Sequence, residues 1–176
     1  MNLKRIGIII SAAAVMLALT GCVEREIVIN KTIKEVPDVT IKDDIEIDWE
    51  QVMDDCEAAL DPEEFPYGLY LDFSVHDDEN YTEIIWPVKS ECPLDEMPRY
   101  AEAFAKAFND AVAIQDFSVA PSDDGYYGGY WDEHDMDAQV YYERDIMDPD
   151  RYYVNQIVPA GSNDPIMLNP NATYDE

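Results

Sequence analysis

Carboxylates are the most abundant reactive groups in this chain. Three acidic runs stand out: Asp77, Asp78, Glu79 and Asn80; then Asp132, Glu133, Asp135 and Asp137; then Asp145, Asp148 and Asp150. Calcium takes several oxygen ligands, often from one compact loop with alternating acids. The second run has part of that alternation, which makes it the calcium candidate. It lacks the glycine hinge and distal glutamate of an EF-hand loop, so loosely held counterions compete with a specific ion. His76 falls in a polar turn and His134 among acids, and neither makes a zinc spacing with Cys56 or Cys92. Ser74, Ser90 and Ser118 are nucleophiles by type alone, since none sits in a Gly-x-Ser-x-Gly elbow. No glycine loop suited to cradling phosphate is present. No catalytic residue is therefore assigned.

The aromatic run is the stronger candidate for binding. Tyr126, Tyr127, Tyr130 and Trp131 stand beside Gly128 and Gly129, and glycine lets a ligand or another backbone approach closely. Exposed aromatics beside acids stack on sugar rings or receive a basic peptide. Tyr141, Tyr142, Tyr152 and Tyr153 would extend such a platform. The competing reading is that these rings pack a sheet.

The elements that must position these residues follow from periodicity. Asp48 caps a helix running to Leu60, with Trp49, Val52, Met53, Cys56 and Leu60 on one face. Gly68–Val75 and Tyr81–Lys89 alternate with a period of two and read as a hairpin. A second helix starts near Asp95, tolerates Pro98 in its first turn, and ends near Gln115. Its stripe is Met97, Ala101, Phe104, Phe108, Ala111 and Val112, with Asn109 and Asp110 off it. A short strand at Phe117–Ala120 and two more at Ala138–Arg144 and Tyr152–Val158 follow. The expected fold is α+β: a two-layer sandwich of about four to five mostly antiparallel strands, with two helices on one face. It occupies residues 48–160, preceded by a spacer at 22–47 with an edge-strand pattern and followed by a flexible tail at 161–176.

Lys4 and Arg5 precede an apolar run from Ile6 to Leu19, which ends in Thr20, Gly21 and Cys22. That is the layout of a secretory leader. The run is shorter than the roughly 20 residues a membrane span requires. Leu19-Thr20-Gly21-Cys22 resembles the lipobox of bacterial lipoproteins. The resemblance implies that residues 1–21 are a signal peptide, and that Cys22 becomes the first mature residue. It implies acyl chains on Cys22, a lipid bilayer as partner, and a location outside the cytoplasm. Two or more chains hold firmly where one does not.

Charge narrows the partners. The chain carries 11 basic and 39 acidic residues, a formal net charge of −28, and losing Lys4 and Arg5 with the leader takes it to −30. Such a field repels nucleic acid and anionic headgroups. In an oxidising compartment Cys56 and Cys92 are candidates for a disulfide, worth about 4 kcal/mol in the chain-entropy picture. The expected function is a non-catalytic interaction module with a surface protein, a glycan or a cation as ligand. The alternative is a cell-envelope hydrolase with a carboxylate-based site. The alternative requires a cleft gathering buried acids with His76 or His134; the first reading requires an open aromatic surface.

Overall fold

The computed structural model describes residues 45–173. The leader, Cys22 and all but the end of the expected spacer lie outside the described residues. Among the described residues, no helix is long and apolar enough to cross a membrane.

The fold is α+β, built on one sheet of four strands in the order β1 (Asp72–His76), β2 (Tyr81–Val88), β3 (Asp135–Tyr142) and β4 (Val154–Val158). Two antiparallel pairs, β1 with β2 and β3 with β4, flank a parallel junction between β2 and β3. Parallel neighbours need a long crossover, usually helical. Here it contains α2 (Met97–Gln115), which contacts β2, β3 and β4. Ile84, Trp86 and Val88 of β2 and Met136, Ala138 and Val140 of β3 form the buried face of the sheet. The Trp86 ring lies 4.8 Å from that of Tyr100 and 6.1 Å from that of Phe104, both on α2.

α1 (Trp49–Ala59) begins as its sequence predicts, with the Asp48 carboxylate accepting a hydrogen bond from the Gln51 N–H at 3.2 Å. Its start is clamped to the end of α2. Asp48 N donates to Gln115 Oε1 at 2.8 Å, and Gln115 Nε2 donates to Asp48 O at 3.1 Å. The β1–β2 turn ends at Asn80, which takes positive φ, and its amide donates to the Glu133 carbonyl. That bond joins the hairpin to α3 (Tyr130–Glu133).

Three expectations are corrected. Phe117–Ala120 is a turn rather than a strand, because Asp116 Oδ1 captures Ser118 N at 2.9 Å and Ser118 Oγ at 2.7 Å. Phe117 is left 91% exposed. The C-terminal stretch is tied down through residue 173, so the domain extends beyond residue 160. Ile166 and Ala172 are buried, Asn169 N donates to Tyr153 O, and Thr173 N donates to Asp150 O. Irregular backbone bonds of this kind leave no periodic trace in a sequence. The candidate pair Cys56 and Cys92 are separate buried thiols rather than a disulfide. Each fills its own niche as a small apolar side chain. Burial, reinforced by neighbouring acids, pushes Cys56 up to about 12 and Cys92 up to about 11, so both stay protonated at neutral pH.

The cations of this region are already engaged. Arg99 pairs with Glu64 at 2.9 Å and Glu96 at 3.3 Å, and Lys106 pairs with Glu102 at 2.9 Å. Lys89 Nζ donates to Pro66 O at 2.7 Å, and Arg144 and Arg151 approach Asp145 at 3.6 and 3.7 Å. The acid surplus therefore repels itself in the compact state. Raising salt from 0.01 M to 1 M shortens the screening length from about 30 Å to about 3 Å. A thermal melt should rise by several degrees across that range; an unchanged or falling midpoint contradicts this.

Candidate functional site

One buried amide organises the region where the aromatic run lies. Asn109 is fully buried on α2, although helical spacing alone puts it off the apolar stripe. Its Oδ1 accepts from Tyr130 N at 2.9 Å, and its Nδ2 donates to Ala120 O at 3.1 Å. Next to it, the Asp110 carboxylate accepts from Ser122 N at 2.6 Å and Ser122 Oγ at 2.8 Å. One turn earlier, Ala105 O accepts from the Trp131 indole N–H at 2.8 Å. α2 thus holds the whole 120–131 segment by its polar groups.

The glycines serve this close approach. Gly128 has φ +112°, and a Cβ there would fall 1.9 Å from Asn109 Nδ2. A Cβ on Gly129 would meet Ala120 N at 2.6 Å. The expected aromatic platform is accordingly overturned: Tyr127, Tyr130 and Trp131 are 5%, 7% and 2% exposed. Their polar atoms find internal partners, as buried Tyr and Trp require. Tyr127 OH donates to Asp164 O at 3.1 Å, and Tyr130 OH shares a hydrogen bond of 2.6 Å with Thr82 Oγ1. Tyr126 remains half-buried, with its hydroxyl donating to Asp132 Oδ2 at 2.6 Å.

What this packing leaves open is a cleft of about 590 Å³ beside Tyr130. Its floor is Trp49, Val112 and Tyr130. Its rim carries the carboxylates of Glu46, Asp77, Asp116 and Glu133, and the Ser118 and His134 side chains complete the polar lining. Glu46, Asp77 and Glu133 are exposed, while Asp116 is half-buried. The His134 ring stacks on Tyr130 at 4.1 Å, almost parallel. Its Nδ1 sits 3.0 Å from Tyr130 O, which favours the tautomer that donates from Nδ1 and leaves Nε2 an acceptor. Ser118 Oγ is turned away from base chemistry by donating to Asp116. Burial pushes the Tyr130 phenol up to about 12, opposed by its Thr82 bond, so it is neutral at physiological pH. The cleft therefore has charge and shape but no nucleophile set on a base.

The structure disperses the acidic candidates. Of the second run, Glu133 reaches the cleft, and Asp132 is engaged by Tyr126. Asp135 Oδ1 accepts from Ala160 N at 2.7 Å. Asp137 lies on the sheet face away from α2, where burial raises its pKa and a bond from Gln139 opposes that rise. From the first run Asp77 reaches the cleft, whereas Asp145 of the third is buried between Arg144 and Arg151. Among the described residues, no three acids, histidines or cysteines converge as a metal site. His76 stacks on Tyr81 at 4.2 Å, away from the cleft.

Two features were missed by sequence reasoning. Trp49 reads as one more member of the α1 stripe, yet it is half-buried in the cleft. Asp116 carries no signal beyond its place after α2. Of the tyrosines expected to extend the platform, Tyr141, Tyr142 and Tyr153 are buried, and Tyr152 stacks on Tyr141 at 4.2 Å. Comparison with protein-family models, curated proteins and solved structures yields no match.

The Asn109 contact predicts a specific mutational pattern. Asn109→Ala strands one buried backbone group, the Tyr130 N–H, at about 1–3 kcal/mol, while Ala120 O keeps its bond from Gly129 N. Gly128→Ala should cost at least as much, because it drives a methyl into that amide and strains a positive φ. Gly125→Ala, at φ +72° with open space around it, should cost only about 1 kcal/mol. Urea denaturation ranks the three. Equal losses for Gly125→Ala and Gly128→Ala would refute the close approach.

Proposed function

We propose that this chain is a membrane-anchored extracytoplasmic lipoprotein whose acidic domain is a non-catalytic binding module. Its ligand, on a surface protein or a glycan or as a cation, enters the cleft between the start of α1, the 116–119 turn and α3. The observation that carries this reading is the make-up of the cleft: an aromatic and aliphatic floor, a rim of carboxylates, and a serine whose hydroxyl is spent on Asp116. The volume of about 590 Å³ falls in the range of small-ligand pockets, about 300–1,000 Å³. The lipobox-like Leu19-Thr20-Gly21-Cys22 supports the anchor.

The alternative, an envelope hydrolase, draws on His134 standing among carboxylates. General acid–base work needs a group within hydrogen-bond reach of the proton it moves. The contacts of His134 are instead with Tyr130, through its ring face and Nδ1. The open aromatic surface expected of a binding module is replaced by a cleft, but its acids are exposed or half-buried rather than gathered in the interior, which supports binding over hydrolysis.

Two measurements test the proposal together. Cells fed labelled palmitate should label the wild-type chain and retain it in the membrane fraction, while Cys22→Ser stays unlabelled and is released. Thermal-shift screening of the purified domain against neutral saccharides, anions and organic cations should find a stabilising class. That stabilisation should vanish in the Asp77→Asn/Glu133→Gln variant. An unlabelled wild-type chain defeats the anchor, and a panel with no cleft-dependent stabilisation defeats the binding role.

A further inference from the structure

We infer that the ligand of the cleft is an organic cation: the guanidinium or ammonium head of an arginine or lysine side chain on a partner protein. The inference rests on the reading of the cleft as a binding site. Four carboxylates line the cleft and neither Lys nor Arg does. No cation of the described chain supplies the missing charge, because Lys89, Arg99, Lys106, Arg144 and Arg151 all have partners elsewhere. Asp77 and Glu133 receive no hydrogen bond or ion pair on their carboxylates from the described residues. Their potential is open to a cation from outside, within a field that already draws basic partners.

The floor narrows the kind of cation. Trp49 is held by stacking on Phe108 at 6.1 Å and 13°, and by an edge contact with Tyr130 at 6.5 Å. An indole fixed in this way costs little ordering on binding, and indole is the ring that attracts cations best. Val112, Val119 and Ile47 add aliphatic lining. A hard metal ion would gain nothing from such walls, and the acids do not converge into a ligand set for one. A neutral sugar could stack on Trp49 but would leave the rim charge unanswered. Arginine and lysine match both halves, since their methylene stems cover apolar surface while the heads stay at the polar edge.

Because an acidic protein attracts any polycation, the test uses probes of single charge. The domain is labelled with 5-fluorotryptophan, and the Trp49 fluorine signal is assigned by Trp49→Phe. N-acetyl-arginine amide should move that signal saturably. N-acetyl-citrulline amide, its neutral isostere, should bind at least about tenfold more weakly. Asp77→Asn/Glu133→Gln should weaken the arginine probe by a similar factor. Asp123→Asn/Asp124→Asn, which removes the same charge outside the cleft, should leave it unchanged. A short Gly-Arg-Gly peptide, acetylated and amidated, should bind more tightly than n-butylguanidinium, a free monocation with the same head.

Equal binding of citrulline, or equal loss in the two double variants, overturns the inference. Tighter binding of n-butylguanidinium overturns the protein source. Saccharides that move the Trp49 signal where arginine does not would defeat the cation and leave the binding role standing. Silence from every probe defeats both.

Discussion

A single buried side-chain amide governs how this domain presents its surface. Asn109, which helical spacing puts off the apolar stripe of α2, is nevertheless fully buried, and it must be bonded there to be tolerated. Its bonds fall on Tyr130 N and Ala120 O, the two ends of an otherwise irregular segment. The segment is thereby drawn against the helix, and Gly128 is present because nothing with a Cβ passes over that amide. Tyr130 and Trp131 are then committed to the core. What remains of the aromatic run is the inner wall of a cleft, capped by the His134 ring.

The charge of the chain acts on top of this arrangement. Arg144 and Arg151 are drawn to the buried carboxylate of Asp145, and the other cations hold short-range partners. Most other acids of the described residues are exposed to water. The exposed pairs of Arg99 and Lys106 contribute little to stability. The core of aromatic and aliphatic side chains carries the fold, and the shell determines what approaches. A cleft whose floor is apolar and whose rim is anionic lies where those two roles meet.

Much of the fold was legible because it repeats. The period of two in Tyr81–Val88 and the helical stripe from Met97 to Val112 encode burial directly, and both elements form as the sequence implies. The parallel pairing of β2 with β3 was not legible, since local alternation says which face is buried but not which strand lies alongside. Asn109 was hidden for a related reason: a buried, bonded amide has the same residue type as an exposed one. The aromatic and glycine run was ambiguous. Glycine beside tyrosine signals a close approach, and the sequence does not say whether a ligand or a neighbouring helix makes it. Trp49 shows the reverse case, where a ring on a core-facing stripe lies at the end of its helix and so reaches an opening. The C-terminal segment through Thr173 is held by scattered backbone bonds that follow no period.

The bond between Asn109 Oδ1 and the Tyr130 N–H latches the aromatic segment to α2. Native-state hydrogen exchange, resolved at single amides, measures it directly. The Tyr130 amide should exchange as slowly as the amides of the central strands β2 and β3, opening only when the domain unfolds. Exchange of Tyr130 at the rate of an exposed loop amide such as that of Gly125 would show that the segment is not latched to α2 and that Tyr130 is not fixed as the wall of the cleft.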